Sequence, residues 1–386
     1  MLKHLTNVAL AATWLLVTAL TAGAASGTTA KAADNPSTTQ SKLTTTHSRP
    51  IHHRTTAHNL SRLARSRHLW DPASYGDPTA LDDPVGEDPA IRQAAIAALG
   101  NWNGSVVVVD PNTGRILSMV NQKLALSSGF TPCSTFKPVI ALAALREGLI
   151  TPTTKLYVDG RERINVTEAL AHSNNLFFHR LGEMLGFDRI TQYAQEFGLG
   201  EKAGLDIPGE SAGSYPSVPP KEGGVGHLAY CGTGIEITAL QMAAIISAIA
   251  NGGTLYALQY PRAAEEVAAF QPVVRRRVEE LAPYIPQIRD GLAGSVLYGT
   301  GHSAYHSDLS IYGKTGTCSE NGTHLGWFAS YGGDPLHVVV VLLRGGRMMF
   351  GPHAAEIAGR VYGGLAASEP SLQANRDYPF TLHSTR

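Results

Sequence analysis

Two apolar β-runs lie between residues 105 and 120 and three more follow residue 309, while the long stretch between them reads mostly as helix and loop. A sheet made from such runs must be assembled from both ends of the folded body, with the middle of the chain laid against it. Ser105–Val109 is the first run, Asp110-Pro111-Asn112-Thr113-Gly114 a turn, and Arg115–Val120 the returning strand. Leu309–Lys314, Leu325–Tyr331 and Leu336–Leu343 are the later strands. Ala90–Leu99 predicts a helix before the sheet, with Pro89 suited to its first turn, and His353–Ala367 a helix after it. The expected fold is α/β (α+β): an about five-stranded, mainly antiparallel sheet flanked by N- and C-terminal helices. An all-helical lobe, about 134–251, completes it.

The folded body is expected over 89–386, and the residues before it differ in character. Lys3 and His4 precede an apolar run, Val8–Leu20, that ends in Thr21-Ala22-Gly23-Ala24-Ala25. Residues 1–25 therefore read as an export signal, with Ala22-Gly23-Ala24 as the small-residue cleavage site. Alternatively, Leu5–Ala25 is an uncleaved membrane anchor of minimal length. Either way the body is expected outside the cytoplasm. No cysteine closely follows the run, which argues against a lipoprotein anchor.

Residues 26–88, rich in Thr, Ser, His and Pro, read as a flexible tether. Its first part is basic and its last part, Asp71–Asp88, acidic. Solvation is the simple account of those charges; contact of the basic half with anionic wall polymer or lipid headgroups is the sharper one. The histidines between His47 and His68 match no standard metal spacing. The formal net charge is zero, so nothing points to nucleic acid as a partner.

Three short motifs carry the chemistry. Ser134-Thr135-Phe136-Lys137 opens an apolar helical run. A serine at a helix start has unpaired backbone N–H groups beside it, as an oxyanion requires. Lys137, three residues on, shares its helix face. To take the serine proton Lys137 must be neutral, through desolvation or a nearby second cation, for which Lys314 is the candidate. The plainer alternative is an N-cap serine with a surface lysine one turn later. Ser173-Asn174-Asn175 is a polar break between apolar residues, suited to proton relay and to holding a substrate amide, but equally to a helix-connecting loop. Lys314-Thr315-Gly316-Thr317 ends an apolar strand. Gly316 would let a substrate backbone approach the strand edge, while Lys314, Thr315 and Thr317 can bind a carboxylate.

In this order the three motifs are the signature of active-site serine enzymes acting on penicillin-like amides, and the chain resembles the transpeptidase domain of penicillin-binding proteins. The likeness covers about 104–366. It includes the hairpin Asp110-Pro-Asn-Thr-Gly-Arg-Ile-Leu-Ser-Met-Val and the nucleophile segment Ser134-Thr-Phe-Lys-Pro-Val-Ile-Ala-Leu-Ala-Ala-Leu. Phe197-Gly-Leu-Gly-Glu-Lys-Ala-Gly-Leu-Asp-Ile-Pro-Gly-Glu, Gly299-Thr-Gly and His324-Leu-Gly-Trp-Phe-Ala-Ser-Tyr are similar as well.

The resemblance implies that Ser134 attacks the penultimate D-Ala carbonyl of a D-Ala-D-Ala stem peptide of peptidoglycan. An acyl-enzyme then passes to an amine of a neighbouring stem. It implies catalytic roles for Ser134, Lys137, Ser173, Asn175 and Lys314, and an oxyanion hole from the N–H groups of Ser134 and Thr317. Thr315, Gly316 and Thr317 would contact substrate, β-lactams would trap Ser134, and neither metal nor organic cofactor is called for. Two departures stand out: Cys133 replaces the family's usual glycine before the nucleophile, and Gly232-Thr233-Gly234 stands where Gly-Gln-Gly is usual.

If the two oxyanion donors converge, Cys133 and Cys318 become neighbours. Class A carbapenemases have bridged cysteines in corresponding places, so the resemblance predicts a Cys133–Cys318 disulfide and leaves Cys231 outside it. Three small buried apolar residues are the alternative. Rival functions stay open: a serine β-lactamase, a D,D-carboxypeptidase with water as acceptor, or a β-lactam sensor. Against the β-lactamase, no glutamate between Ser173 and Lys314 is a convincing deacylating base. Glu201 and Glu210 fall in a segment that resembles the transpeptidases' own.

Overall fold

The structure, a computed structural model, describes residues 77–376 apart from 128, 161 and 321. The expected leader or anchor, and the tether up to residue 76, lie outside the described residues. Strands β1 (Gly104–Asp110) and β2 (Arg115–Val120) form the early hairpin. β3 (Ile311–Glu320), β4 (Thr323–Gly332) and β5 (His337–Gly345) form the late meander. They join in one five-stranded sheet, ordered β2-β1-β5-β4-β3, with every neighbouring pair antiparallel. The central pairing, Val106 with Val341 and Val108 with Val339, closes the two ends of the domain.

Both faces of the sheet are covered, which explains why β1 and β5 are continuous apolar runs rather than alternating ones. Val107, Val109, Trp327, Val338 and Val340 join the core shared with the helical lobe. Val106, Val108, Phe328, Val339 and Val341 pack on the other side. That second face is covered by α1 (Pro89–Leu99) and α8 (Gly351–Arg376). Asp88 caps α1, accepting from the N–H groups of Ala90 and Ile91.

The lobe contains α2 (Lys137–Arg146), α3 (Val166–Ala171), α4 (Asn175–Glu196), α5 (Gly224–Cys231) and α6 (Ala239–Ala250). α7 (Ile285–Leu297) follows and packs on α3 and β3. A capping box of Thr238 and Gln241 fixes the start of α6, whose mostly apolar sequence is buried on every side. β3 is an edge strand: among the described residues only β4 pairs with it.

The body begins earlier than residue 89. Asp82 accepts from the N–H groups of Asn121 and Gln122 and pairs with Arg92 at 3.1 Å. Glu87, 9% exposed, accepts from Ser118 Oγ and the Met119 N–H. Acids that read as a solvated run are thus ligands of the hairpin's backbone, a pairing no local pattern reveals.

Candidate active site

Ser134 does not open the α-helix, as the sequence suggests. Cys133–Phe136 forms a 3₁₀ turn, and α2 begins only at Lys137. Three residues per turn eclipse positions i and i+3, so Lys137 still shares the Ser134 face. Cys133 has φ 52°, a left-handed conformation that glycine adopts without cost. That accounts for the glycine expected there. In this chain Cys133 is held by its bond to Cys318, with the two Cα atoms 5.7 Å apart. Trp327 Nε1 donates to Thr131 O at 3.0 Å and fixes the approach to the turn.

Ser173 also has a left-handed backbone, φ 54°, in the tight connection between α3 and α4. Asn174 caps α4 by accepting from the Phe177 N–H, which leaves Asn175 as the first helical residue. Lys137 Nζ donates to Asn175 Oδ1 at 2.7 Å, to Ser173 O at 2.7 Å and to Ser173 Oγ at 3.0 Å. The rings of Phe178 and Tyr230 lie 5.4 and 6.0 Å from the same nitrogen. Burial pushes the Lys137 pKa down from its ordinary 10.5 to about 7, against the opposing charge of an ionised Cys231. Ser134 Oγ, half-buried, donates over a long 3.5 Å to Tyr230 O.

Lys314 is fully buried, and its Nζ donates to Thr315 O at 3.0 Å. Burial first, and then the charge of Lys137, hold its pKa well below the usual lysine range. Of the two causes the sequence offered for a neutral Lys137, desolvation or a second cation at Lys314, burial is the larger at Lys137, and the two lysine charges disfavour each other. Gly316 passes close to the nucleophile turn, where an added Cβ would meet Pro132 O at 3.0 Å and Thr135 Cγ2 at 3.1 Å. Thr315, buried, shares a 2.6 Å hydrogen bond with Thr300 Oγ1. Thr317 is exposed, and its Oγ1 accepts from the Gly351 N–H at 2.8 Å.

The structure thus brings Ser134, Lys137, Ser173, Asn175, Lys314, Gly316 and the disulfide together where the lobe meets β3. Tyr230, Phe178 and Thr300 were not singled out from sequence. Thr300 lies in the Gly299-Thr-Gly segment that marked the family likeness, a signal that was available. Tyr230 and Phe178 carried none, since an aromatic beside a buried cation looks like any core aromatic. Cys231 stays outside the bridge, and burial raises its pKa. Glu201 makes a double hydrogen bond to Arg276, and buried Glu210 accepts from the N–H groups of Ala203 and Gly204.

An antiparallel sheet between a helical lobe and a pair of terminal helices, with a Ser-x-x-Lys turn facing a Lys-Thr-Gly edge strand, defines an α/β domain of the penicillin-recognising kind. Residues 104–363 match the family described as penicillin binding protein transpeptidase domain, and the chain belongs to that family. It is similar to stage V sporulation protein D of Bacillus subtilis, 31% identical over 53% of this chain and 35% of that protein. It is also similar to the peptidoglycan D,D-transpeptidase MrdA of Salmonella typhimurium, 26% identical over 60% of this chain and 47% of the relative. The chain spans less than half the length of these relatives. The crystal structure of a D,D-transpeptidase domain from Eggerthella lenta shares the fold, with TM-score 0.61 and 22% identity, covering 74% of this chain and 82% of that one.

Proposed function

We propose that the protein is an acyl-serine D,D-transpeptidase that cross-links peptidoglycan stem peptides. The observation that carries this reading is Lys137, buried one 3₁₀ turn from the half-buried Ser134 and bonded to both Ser173 and Asn175. A lysine with a pKa of about 7 is substantially neutral at physiological pH and can accept the Ser134 proton. Ser134 Oγ then attacks the penultimate D-Ala carbonyl, and the oxyanion is received by the N–H groups of Ser134 and Thr317. Ser173 relays the proton from Lys137 to the departing amine, and Asn175 holds Lys137 and the substrate amide. The donor peptide lies along the open edge of β3 as an added strand. Its terminal carboxylate lies toward Lys314, Thr315 and Thr317. Attack by an amine on the acyl-enzyme gives the cross-link, and attack by water gives a carboxypeptidase product.

β-Lactams are expected to acylate Ser134 and stay bound. The protein works outside the cytoplasm, held there or delivered by residues 1–25, with the Thr-, Ser- and His-rich segment after them as a spacer. Among the described residues, no helix is long and apolar enough to cross a membrane. The pairing of Glu201 with Arg276 and the engagement of buried Glu210 by the Ala203 and Gly204 N–H groups favour slow deacylation over a β-lactamase. Intact-mass measurement after adding benzylpenicillin, with Ser134→Ala as control, tests this reading. A persistent adduct that depends on Ser134 supports it. Return to unmodified protein with consumed drug would make the chain a β-lactamase instead.

A further inference from the structure

The segment that ends at Thr300 lies beside the Ser173 loop and β3. The Thr300 N–H donates to Ala171 O at 3.1 Å, and its hydroxyl bonds Thr315 at 2.6 Å. Gly299 passes so close to Ala171 that a Cβ would lie 2.1 Å from its carbonyl oxygen. Residues 298–300 therefore bridge the loop that carries Ser173 and the strand that carries Lys314.

Three side chains stand at this bridge. The Tyr298 ring lies 5.7 Å from the His172 ring, and its hydroxyl donates to Glu168 Oε1 at 3.1 Å. Glu168 Oε2 is 3.5 Å from His172 Nε2. All three are open: Tyr298 is 51% exposed, and the His172 and Glu168 side chains 55% and 44%. The neighbouring cation, Arg289, is directed elsewhere, over the Tyr312 ring at 4.6 Å. One carboxylate with two exposed rings thus stands beside a site whose two lysines are buried.

We propose that Tyr298, Glu168 and His172 form the acyl-acceptor subsite, selecting an acceptor amine whose carrier bears a second, non-reacting ammonium group. This rests on the transpeptidase reading. In that reading the terminal carboxylate lies toward Lys314 and Thr315, so the leaving residue departs past Thr300. The incoming amine must reach the acyl carbon by the same end. Its neutral nitrogen attacks the ester carbon, the bond from that carbon to Ser134 Oγ breaks, and the amine's proton returns to Ser134 Oγ. The second ammonium takes no part in this step. It pairs with Glu168 and lies against the Tyr298 ring, both suited to a cation.

The test uses the full chain, a donor peptide ending in D-Ala-D-Ala, and two acceptors, 6-aminohexanamide and its 2-trimethylammonio derivative, which share one reactive amine and differ in a fixed cation that cannot attack. The readout is the ratio of their aminolysis rates, which loss of fold or of acylation leaves unmoved. The intact protein is expected to favour the trimethylammonio acceptor about three- to fivefold, the range of a half-exposed ion pair. Glu168→Gln brings the ratio to about one, and Glu168→Asp retains part of it. A ratio near one in the intact protein, or one unchanged by Glu168→Gln, overturns the subsite while leaving the transpeptidase reading intact. Failure of the donor to acylate Ser134 at all overturns both.

Discussion

Asn175→Asp replaces an amide by a carboxylate of the same shape, 2.7 Å from Lys137 Nζ. The hydrogen bond survives, and an aspartate in the first helical turn suits the helix dipole, so the fold has little reason to respond. The electrostatics change sharply. An opposite charge at this range favours a charged lysine by about 1–3 pKa units. Lys137, now at about 7, would rise to about 8–10. At pH 7 its neutral fraction would fall from about one half to between ~0.1 and ~0.001. If the neutral amine is the base, acylation by a fluorescent penicillin slows about 5- to 500-fold at pH 7. It recovers to within about twofold of the native rate by pH 10. The measurement is the second-order acylation rate constant between pH 6 and 10, for both proteins. An inflection that stays near neutrality, with the rate lowered equally at every pH, would refute Lys137 as the base and leave Asn175 a substrate contact.

Two further outcomes follow from the same geometry. Lys137 has a folded pKa below its unfolded value, so between about 7 and 10.5 the unfolded chain binds the extra proton and stability rises with pH. Its contribution is complete above the unfolded value and lost as pH falls through the folded one. Relative to Lys137→Met, the native protein should gain at most about 1.4 kcal/mol of unfolding free energy per pH unit in this window. Denaturant titrations at pH 7 and 9 check it, and parallel curves for the two proteins would count against the buried-lysine assignment. Reducing the Cys133–Cys318 bond, which closes a loop with a sequence separation of 185, should cost about 2–4 kcal/mol. Acylation should also slow at least about tenfold, because Ser134 and Thr317 lose the link that sets their spacing. Equal acylation rates before and after reduction would mean that the turn holds its own geometry.

Much of the fold was legible because its signals are local. The hairpin bounded by Asp110 and Gly114, the buried runs of β1 and β5, and the helix after Pro89 all follow from turn chemistry and periodicity. The strand carrying Lys314 was harder to bound. Its polar half, Thr315–Glu320, lacks apolar alternation and is extended because β4 pairs along all of it. The acids Asp82 and Glu87 read as solvated charge but are structural ligands. Their partners, Gln122 and Met119, lie more than thirty residues away, where no sequence window reaches.

The sequence by itself placed Lys137 on the Ser134 face, because a spacing of three residues does so in either helix type. It also supplied the candidate groups at Ser173, Asn175 and Lys314–Thr317, and the three cysteines. Tertiary structure alone decided which of these meet and that both lysines are buried, and it bears out the Cys133–Cys318 bond that the family resemblance predicted. It also decided that Tyr298, Glu168 and His172 gather beside the Ser173 loop. The reason is physical: hydrogen-bond partners, burial and the pKa they produce depend on which residues distant in the chain become neighbours. Spacing along a single helix or strand does not carry that information.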